Sequence, residues 1–316
     1  MTIDILMATY NGEKYLDTQI NSILNQTEQN FRLLICDDHS KDGTRELIEK
    51  FIREHPSKIF IVKSEKNLGA KANFSFLMQH ATADYIMFAD QDDFWQEEKI
   101  AKTLKEMKRL VDFYGNETPL LVHTDLTVVD KNCAVIDNSF WKYSNLKVFS
   151  YKTTNRFLIQ NVVTGCTMMI NQPLCKLGSP VPQESFMHDW WIALVASTFG
   201  KIGLVNEATM LYRQHGSNTL GAKKFASLNF IKEGLKRFWK NDPSFQDQVK
   251  ARVSQAKVLL ERYQNQLSKH HICLIKDYIH LQEYSWFKKR RIVLKHGFFR
   301  SGFLRNFFTF FLKLRP

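Results

Sequence analysis

Two apolar runs in the first ninety residues stop on carboxylates, and this pairing limits what the chain can build more than any other feature. Phe31-Arg-Leu-Leu-Ile-Cys36 reads as a buried strand and runs into Asp37-Asp38. Asp84-Tyr-Ile-Met-Phe-Ala89 reads as another and runs into Asp90-Gln91-Asp92-Asp93. Residues 2–9 and 59–62 supply two further strands. Helical spacing predicts helices over 13–26 (Leu16, Ile20, Ile23, Leu24), 45–55, 70–80 and 96–111. Strands alternating with helices in this rhythm predict a parallel, doubly wound sheet. Ligands of such sheets bind outside the carboxyl ends of the strands. Thr9-Tyr10-Asn11, Asp37-Asp38 and Asp90 to Asp93 are therefore expected on one rim.

Three carboxylates within four residues repel one another, and burying them is costly unless a cation is present. A hard divalent ion answers that need. Mg²⁺ uses one or two carboxylates and takes its other ligands from phosphates and water. An i, i+2 pair such as Asp90 and Asp92 at a strand end suits a metal–diphosphate site. The same residues also read as a solvated acidic turn, with Asp93 as the anion at the start of the helix near 96. The second acidic strand end favours the metal. Neither G-x-x-x-x-G-K-[ST] nor G-x-G-x-x-G occurs, so phosphate-loop and dinucleotide readings lack support.

The chain's 316 residues suffice for one large domain with an appendage. The 5 Cys are scattered with no C-x-x-C pair, which argues against a zinc or thioredoxin-type site and suits a reducing compartment. No uncharged apolar run approaches the ~20 residues that span a bilayer. No basic segment leads into a secretory apolar core either, so the chain is expected in the cytosol.

Charge divides the sequence. Residues 223–316 carry 21 Lys and Arg against 6 Asp and Glu, while 1–222 carry 23 against 26. The expected organisation is a sheet domain over 1–222 and a basic, helical region over 223–316. Lys288-Lys289-Arg290-Arg291 precedes a Phe-rich tail in which Phe299, Phe303, Phe307, Phe310 and Leu314 fall on one helical arc. Such a tail can lie on an anionic membrane or pack its Phe stripe on the protein itself. A nucleic-acid module would account for the basic tail but would leave the acidic rim idle.

Ala8-Thr-Tyr-Asn-Gly12, Asp37-Asp-His-Ser-Lys-Asp-Gly-Thr44, Asn67-Leu-Gly69 and Asp90-Gln-Asp-Asp93 resemble, in order, the motifs of family-two inverting glycosyltransferases. The resemblance covers roughly 1–220. It implies a GT-A fold, a Rossmann-like, mostly parallel sheet with helices on both faces. Asn161-Val-Val-Thr-Gly-Cys166, His188-Asp-Trp-Trp191 and Tyr212-Arg-Gln-His-Gly216 with Asn218 resemble bacterial rhamnosyltransferases of cell-wall or capsular polysaccharide synthesis. That implies transfer of L-rhamnose from dTDP-rhamnose to a lipid-linked glycan, at the inner face of the membrane and with Mg²⁺ or Mn²⁺. A UDP-hexose donor (glucose, galactose or N-acetylhexosamine) is the alternative. A catalytically silent sugar-nucleotide-binding subunit is a third reading. The resemblance further implies that Thr9 and Asn11 line the nucleotide pocket, with Asp38 near the base and Asp90 near ribose and diphosphate. It makes Asp92 a metal ligand, Asp189 the catalytic base, and places His215 at the metal or diphosphate. Gln91 stands where family members vary, and Asp93 could serve as ligand in place of Asp92.

Other readings of these residues stay open. Asp189 sits among His188, Trp190 and Trp191, where apolar neighbours raise a carboxylate toward useful base strength; it also suits the cap of a helix over 190–199. His215 is a metal ligand or an ordinary loop histidine, and Arg213 beside it could hold phosphate oxygens. Trp190 and Trp191 could stack on a sugar ring or fill a core. Gly165 could let the acceptor approach the main chain, and Cys166 reads as a small packed residue. Strands are expected over 120–123 and 126–129, and residues 141–160 as a variable acceptor-side segment.

Overall fold

The computed structural model describes residues 2–216, 222, 243–302 and 306, of which 243–246 are described in backbone only. The strands are β1 (Ile3–Thr9), β2 (Phe31–Asp37), β3 (Ile59–Ile61), β4 (Tyr85–Asp90), β5 (Phe94–Trp95), β6 (Leu120–Val129), β7 (Val135–Asp137), β8 (Met168–Asn171) and β9 (Lys201–Arg213). The first helices along the chain are α1 (Glu13–Leu24), α2 (Thr44–Glu54), α3 (Ala70–His80) and α4 (Lys99–Tyr114). After them come α5 (Phe140–Tyr143), α6 (Thr154–Ile159), α7 (Gln172–Gly178) and α8 (His188–Phe199). We number the remaining described helices α9 (Pro243–Tyr263), α10 (Lys269–Ile279) and α11 (Trp286–His296).

The chain forms two units. The first takes Met1–Phe140, Val163–Val181 and Phe199–Ala222; the second takes Trp141–Val162, Pro182–Thr198 and the residues from Lys223 onward. Two segments from within 1–222 thus join the C-terminal residues, where the charge division alone suggests a single cut.

The first unit holds one mixed sheet in the order β3-β2-β1-β4-β8-β6-β9-β5, with β7 paired to β6. β3, β2, β1 and β4 run parallel. β8 lies antiparallel between β4 and β6, and β9 runs parallel to β6. The mixture follows from the connections. Parallel neighbours need a crossover, which α1 to α3 provide in the N-terminal half, whereas the later strands turn back on themselves. This α/β architecture is the GT-A type. β1 is buried along almost its whole length, as a strand in mid-sheet must be.

Register explains the rim. Thr9 sits opposite Asp37, and Ala8 opposite Asp90, so the carboxyl ends of β1, β2 and β4 are level. β6 and β9 run in the same direction as β4, which puts Arg213, the last residue of β9, at that same edge. The two-residue strand β5 pairs antiparallel with β9, Phe94 against Leu211. This ties the turn after Asp90 to the end of β9.

Several elements differ from the sequence expectation. β6 is one strand where the polar pair Thr124-Asp125 suggests a break. Asp125 stays inside because it accepts from the Leu126 amide at 2.8 Å and from the Ser139 hydroxyl. β8 and β9 carry no legible strand pattern. β9 exposes Asn206 and Glu207 mid-strand and shifts register against β6 near Asp125, which destroys the two-residue alternation. The helix after the acidic turn begins at Lys99, and Asp93 does not cap it.

The second unit is helical. Its core includes Phe157, Leu158, Trp191, Leu259, Tyr263, Ile275 and Tyr278. The Arg252 guanidinium donates to the Ile159 carbonyl at 2.9 Å, fixing α9 against the end of α6. Phe298 is buried and meets Tyr278 edge-on at 5.5 Å. The Phe299 carbonyl accepts from Arg156 and from the Tyr151 hydroxyl. The rest of the expected Phe arc, Phe303, Phe307, Phe310 and Leu314, lies outside the described residues, as does Asn218. Among the described residues, no helix is long and apolar enough to cross a membrane.

Asp4, fully buried inside apolar β1, is the polar residue on which the sheet's start depends. It faces Arg32 across the β1–β2 register and accepts from that guanidinium at 2.8 and 2.9 Å. It also accepts from the amides of Thr82 and Ala83 at 2.8 and 3.0 Å. Asp4→Ala would remove the acceptor of the Thr82 and Ala83 amides and of Arg32 Nε, while Arg32 Nη2 keeps the Thr82 hydroxyl. It is expected to lower stability by about 3 kcal/mol, read as a fall in the denaturant midpoint with the slope unchanged.

Candidate active site

The β1–β2 end of the rim is a set of loops pinned by side chains. The Thr9 hydroxyl donates to Asp37 at 3.0 Å. Asp37 also accepts from the Ser40 amide at 3.0 Å, the Ser40 hydroxyl, and Arg45 Nε at 2.9 Å. Asp38 uses both carboxylate oxygens on backbone, accepting from the Leu68 amide at 2.6 Å and the Gly69 amide at 2.8 Å. Gly69 has φ +75° and ψ 157°, a conformation that only glycine holds without strain, and it leads directly into α3. Asp38 and Asn67-Leu68-Gly69 are therefore one motif in space. Asn11 adopts φ +47°, which asparagine tolerates. Its amide donates to the Ser40 hydroxyl, and its side-chain oxygen accepts from the Lys41 backbone amide at 2.9 Å. Gln91 clasps the main chain of Tyr10, accepting from its amide at 2.8 Å and donating to its carbonyl at 3.0 Å. The residue between the aspartates thus joins the ends of β1 and β4.

Around β4 and β9 the negative charge gathers. Asp92 Oδ2 lies 2.7 Å from His215 Nε2. The His215 ring stacks on Tyr15 of α1 with centroids 5.0 Å apart, and the Arg213 guanidinium lies over the same tyrosine at 4.7 Å. Arg213 is buried. Its Nε donates to the Asp92 carbonyl at 2.9 Å and its Nη1 to the Lys131 carbonyl at 3.1 Å, while its amide reaches Asp93 Oδ1 at 3.3 Å. The sequence suggests a phosphate-holding arginine; in the structure Arg213 first fixes the acidic turn.

Asp93 is 0% exposed, and its Oδ2 has no hydrogen-bond partner. One acceptor atom each from Asp90, Asp93 and Cys166 lies within 4.8 Å of the others. Burial pushes the Asp93 carboxyl well above the usual range, and the charges of Asp90 and Asp92 push it further. Lys99 is fully buried nearby, its ammonium 4.8 Å from the Trp95 ring and 3.4 Å from the Thr209 hydroxyl. Burial lowers it to about 8, against the pull of Cys166 and Asp93. Burial likewise raises the Cys166 thiol, so it is a packed residue rather than a nucleophile. Gly165 is buried in a 3-10 turn, Gly165–Thr167, that leads into β8.

Asp189, Trp190 and Trp191 belong to the second unit. Asp189 lies in the first turn of α8, where a carboxylate is favoured by the helix end, and its Oδ1 accepts from the Trp190 amide at 2.6 Å. His188 before it is buried, which lowers its imidazole to about 3 and keeps it neutral. Trp190 is half-buried; its indole donates to the Phe157 carbonyl at 2.6 Å and its ring meets Phe186. Trp191 is fully buried between Tyr263, stacked at 6.3 Å, and Arg262, at 5.1 Å. Core packing takes Trp191 out of reach of a sugar ring.

The rim thus brings together Thr9, Asn11, Asp38, Asp90, Asp92, Arg213 and His215 within one unit. Asp37 and Gln91, also expected at the rim, hold its loops, and the rim further recruits Tyr15 and Lys99, which have no site signal in the sequence. Tyr15 reads as one polar residue on an amphipathic helix, and Lys99 as an ordinary helix-start lysine. The rim thus holds two groups of potential ligands, the Asp92–His215 pair and the cluster of Asp90, Asp93 and Cys166; the carboxylate and imidazole donors of the first suit Mg²⁺ or Mn²⁺.

Residues 4–117 match the family described as Glycosyl transferase family 2. A dTDP-rhamnosyl transferase, RfbG, of Shigella flexneri is 30% identical over 243 residues, covering 73% of this chain and 79% of that protein. The fold is shared with TarS 1–349 of S. aureus, solved with UDP-GlcNAc, at a TM-score of 0.57 and 15% identity over 94% of this chain and 80% of that one. It is also shared with the mannosyltransferase PcManGT of Pyrobaculum calidifontis, solved with GDP-Man and Mn²⁺, at a TM-score of 0.52 and 12% identity over 93% of this chain and 85% of that one.

The rim's loops hang on Asp37. Burial alone would raise its carboxyl, but Arg45, Ser40 and Thr9 outweigh burial and hold it below the usual value. A group depressed in the folded state stabilises above its unfolded pKa, about 3.9, and loses that contribution as pH falls through the folded value. Asp37→Asn is expected to cost about 1–3 kcal/mol at pH 7. The gap between wild type and variant should then narrow below about pH 4, measured by denaturant titration across that range.

Proposed function

The chain belongs to glycosyltransferase family 2, and from that premise we propose that it transfers L-rhamnose from dTDP-rhamnose to a lipid-linked glycan with inversion at the anomeric carbon. The observation that carries the site assignment is the pairing of Asp92 with His215 at 2.7 Å on the sheet edge where β4 ends in Asp90 and β9 in Arg213. The 30% identity to a dTDP-rhamnosyl transferase supports the donor. A UDP-hexose donor is the second reading, favoured by the fold shared with a protein solved with UDP-GlcNAc.

In this reading the loops over 10–12, 38–41 and 67–69 form the nucleotide's walls, shaped by Thr9, Asn11 and Asp38. Asp90 faces ribose and diphosphate. Asp92 and His215 would hold a divalent ion, Mg²⁺ or Mn²⁺, which supplies charge stabilisation for the departing diphosphate. Arg213 keeps the Asp92 main chain in place, and Tyr15 keeps the His215 ring in plane. Gln91 fixes the opening between β1 and β4.

Asp189 acts as the base that takes the proton of the attacking acceptor hydroxyl. Its place in the first turn of α8, where the Trp190 amide donates to it at 2.6 Å, fixes the carboxylate's position on a rigid helix start. A single displacement with one base inverts the anomeric centre. Gly165 is assigned to acceptor contact because glycine lets a substrate approach the main chain, and Trp190 to sugar contact through its half-buried ring. The lipid-linked acceptor brings the work to a membrane surface at the cytoplasmic face, and the basic C-terminal region supports peripheral attachment there.

The deciding experiment is a panel of sugar nucleotides with lipid-linked rhamnose and hexose acceptors, followed by linkage analysis of the product. Release of dTDP with a new rhamnosyl linkage is expected; turnover restricted to a UDP-hexose would replace the donor assignment. Asp92→Asn should abolish the Mg²⁺ or Mn²⁺ dependence of donor affinity. Asp189→Asn should bind donor as before and lose about 10²–10⁴-fold in transfer rate, measured as nucleotide diphosphate release.

A further inference from the structure

Helix α11 shows one face to its own unit and the other to solvent. Ile292, Val293 and His296 are buried. Asp277 on α10 pins that inner face: its Oδ2 lies 2.7 Å from His296 Nε2 and accepts from Lys295 Nζ at 3.4 Å, while its Oδ1 accepts from the Tyr284 hydroxyl at 3.4 Å. Burial would raise the Asp277 carboxyl, but His296 and Lys295 hold it low. Asn155 donates to the His296 carbonyl at 2.8 Å. Gly297, at φ +65°, ends the helix and sends Phe298 into the core. The helix cannot roll without breaking these bonds.

The outer face is therefore fixed, and its composition is unusual. Phe287 is 79% exposed and Leu294 60%, seven residues apart and so on one line of the helix. Trp286, 54% exposed, stands at the start, with the Arg290 guanidinium over its ring at 3.2 Å. Lys288 and Arg291 are exposed along the flank of the apolar line. No Asp or Glu occurs after Glu283, while residues 284–316 carry nine Lys and Arg.

We propose that this outer face of α11 docks on an anionic phospholipid surface, with Phe287 and Leu294 entering the boundary between headgroups and acyl chains and Lys288 and Arg291 meeting lipid phosphates. An exposed apolar line bordered by cations, with no carboxylate to repel the headgroups, is what a helix lying in that boundary needs. A nucleic acid would use the cations but gains nothing from Leu294, which offers a base no face to stack on. The proposal deepens the lipid-linked acceptor reading and draws its purpose from it; the docking surface itself stands on α11.

The test is sedimentation of the full chain with phosphatidylcholine vesicles, with and without phosphatidylglycerol, at low and high salt. Wild type is expected to bind the phosphatidylglycerol vesicles and to weaken with salt. Phe287→Ser combined with Leu294→Ser should lower that binding about tenfold, and Lys288→Gln combined with Arg291→Gln should lower it similarly and flatten the salt dependence. All four side chains are exposed, so circular dichroism and dTDP or UDP affinity should match wild type. Undiminished sedimentation of both double variants would overturn the proposal, as would equal binding to phosphatidylcholine alone. Binding to DNA or RNA oligonucleotides without vesicle binding would overturn it too. A failed donor panel leaves the vesicle measurement intact, so the two readings fail separately.

Discussion

Like charge at a strand end is the constraint to which the first unit answers. Asp90, Asp92 and Asp93 follow one another at the edge of the sheet, and Asp93 is fully buried. Such a group needs positive charge or a proton within a few ångströms. The protein supplies some of it permanently. Arg213 grips the main chain of the acidic turn and Lys99 lies beneath it in the core. His215 pairs with Asp92. What these groups leave is a partly compensated anionic rim, ready for a cation that arrives with a diphosphate.

The topology makes that arrangement possible. Had β9 run antiparallel to β4, Arg213 and His215 would sit at the far edge of the sheet. Its direction is set by β8, which lies antiparallel between β4 and β6 and so returns β6 and β9 to the sense of β4. The two-residue strand β5 then locks the acidic turn to β9. A short, apparently minor strand thus controls the separation of Asp92 from His215. Tyr15 completes the arrangement from α1 by presenting one ring to both His215 and Arg213.

What could be read in the sequence follows from how local each signal is. β1 to β4 and α1 to α3 are legible because buried parallel strands are continuous apolar runs and their helices carry apolar residues at i, i+3 and i+4. The acidic strand ends are legible for the same reason, being the residues on which those runs stop. β9 is not legible, because Asn206 and Glu207 interrupt it where the register shifts. Nor can spacing reveal that Asp38 spends both oxygens on Leu68 and Gly69, or that Trp191 is core while Trp190 is half-buried, since partners thirty or more residues away decide each case. The two-unit division is hidden likewise: 141–162 and 182–198 have nothing in composition to set them apart from the sheet residues around them.

The rim and α11 illustrate opposite treatments of charge. At the rim, acidic groups are held close together: burial and like charge favour a proton on Asp93, while Arg213 and His215 hold Asp92 in place. That is preorganisation: the structure holds the charge in place before the ligand arrives. On α11 the cations are spread over an exposed face where water screens them, and their cost is small. Burial makes the rim selective for a ligand of defined geometry. Exposure makes α11 suited to a surface, where many weak contacts replace one exact fit. The same chain therefore needs Asp277 to hold α11 for the reason it needs Arg213 to hold the acidic turn. In each case a single buried or half-buried ionic group fixes the backbone so that the functional charges can face outward.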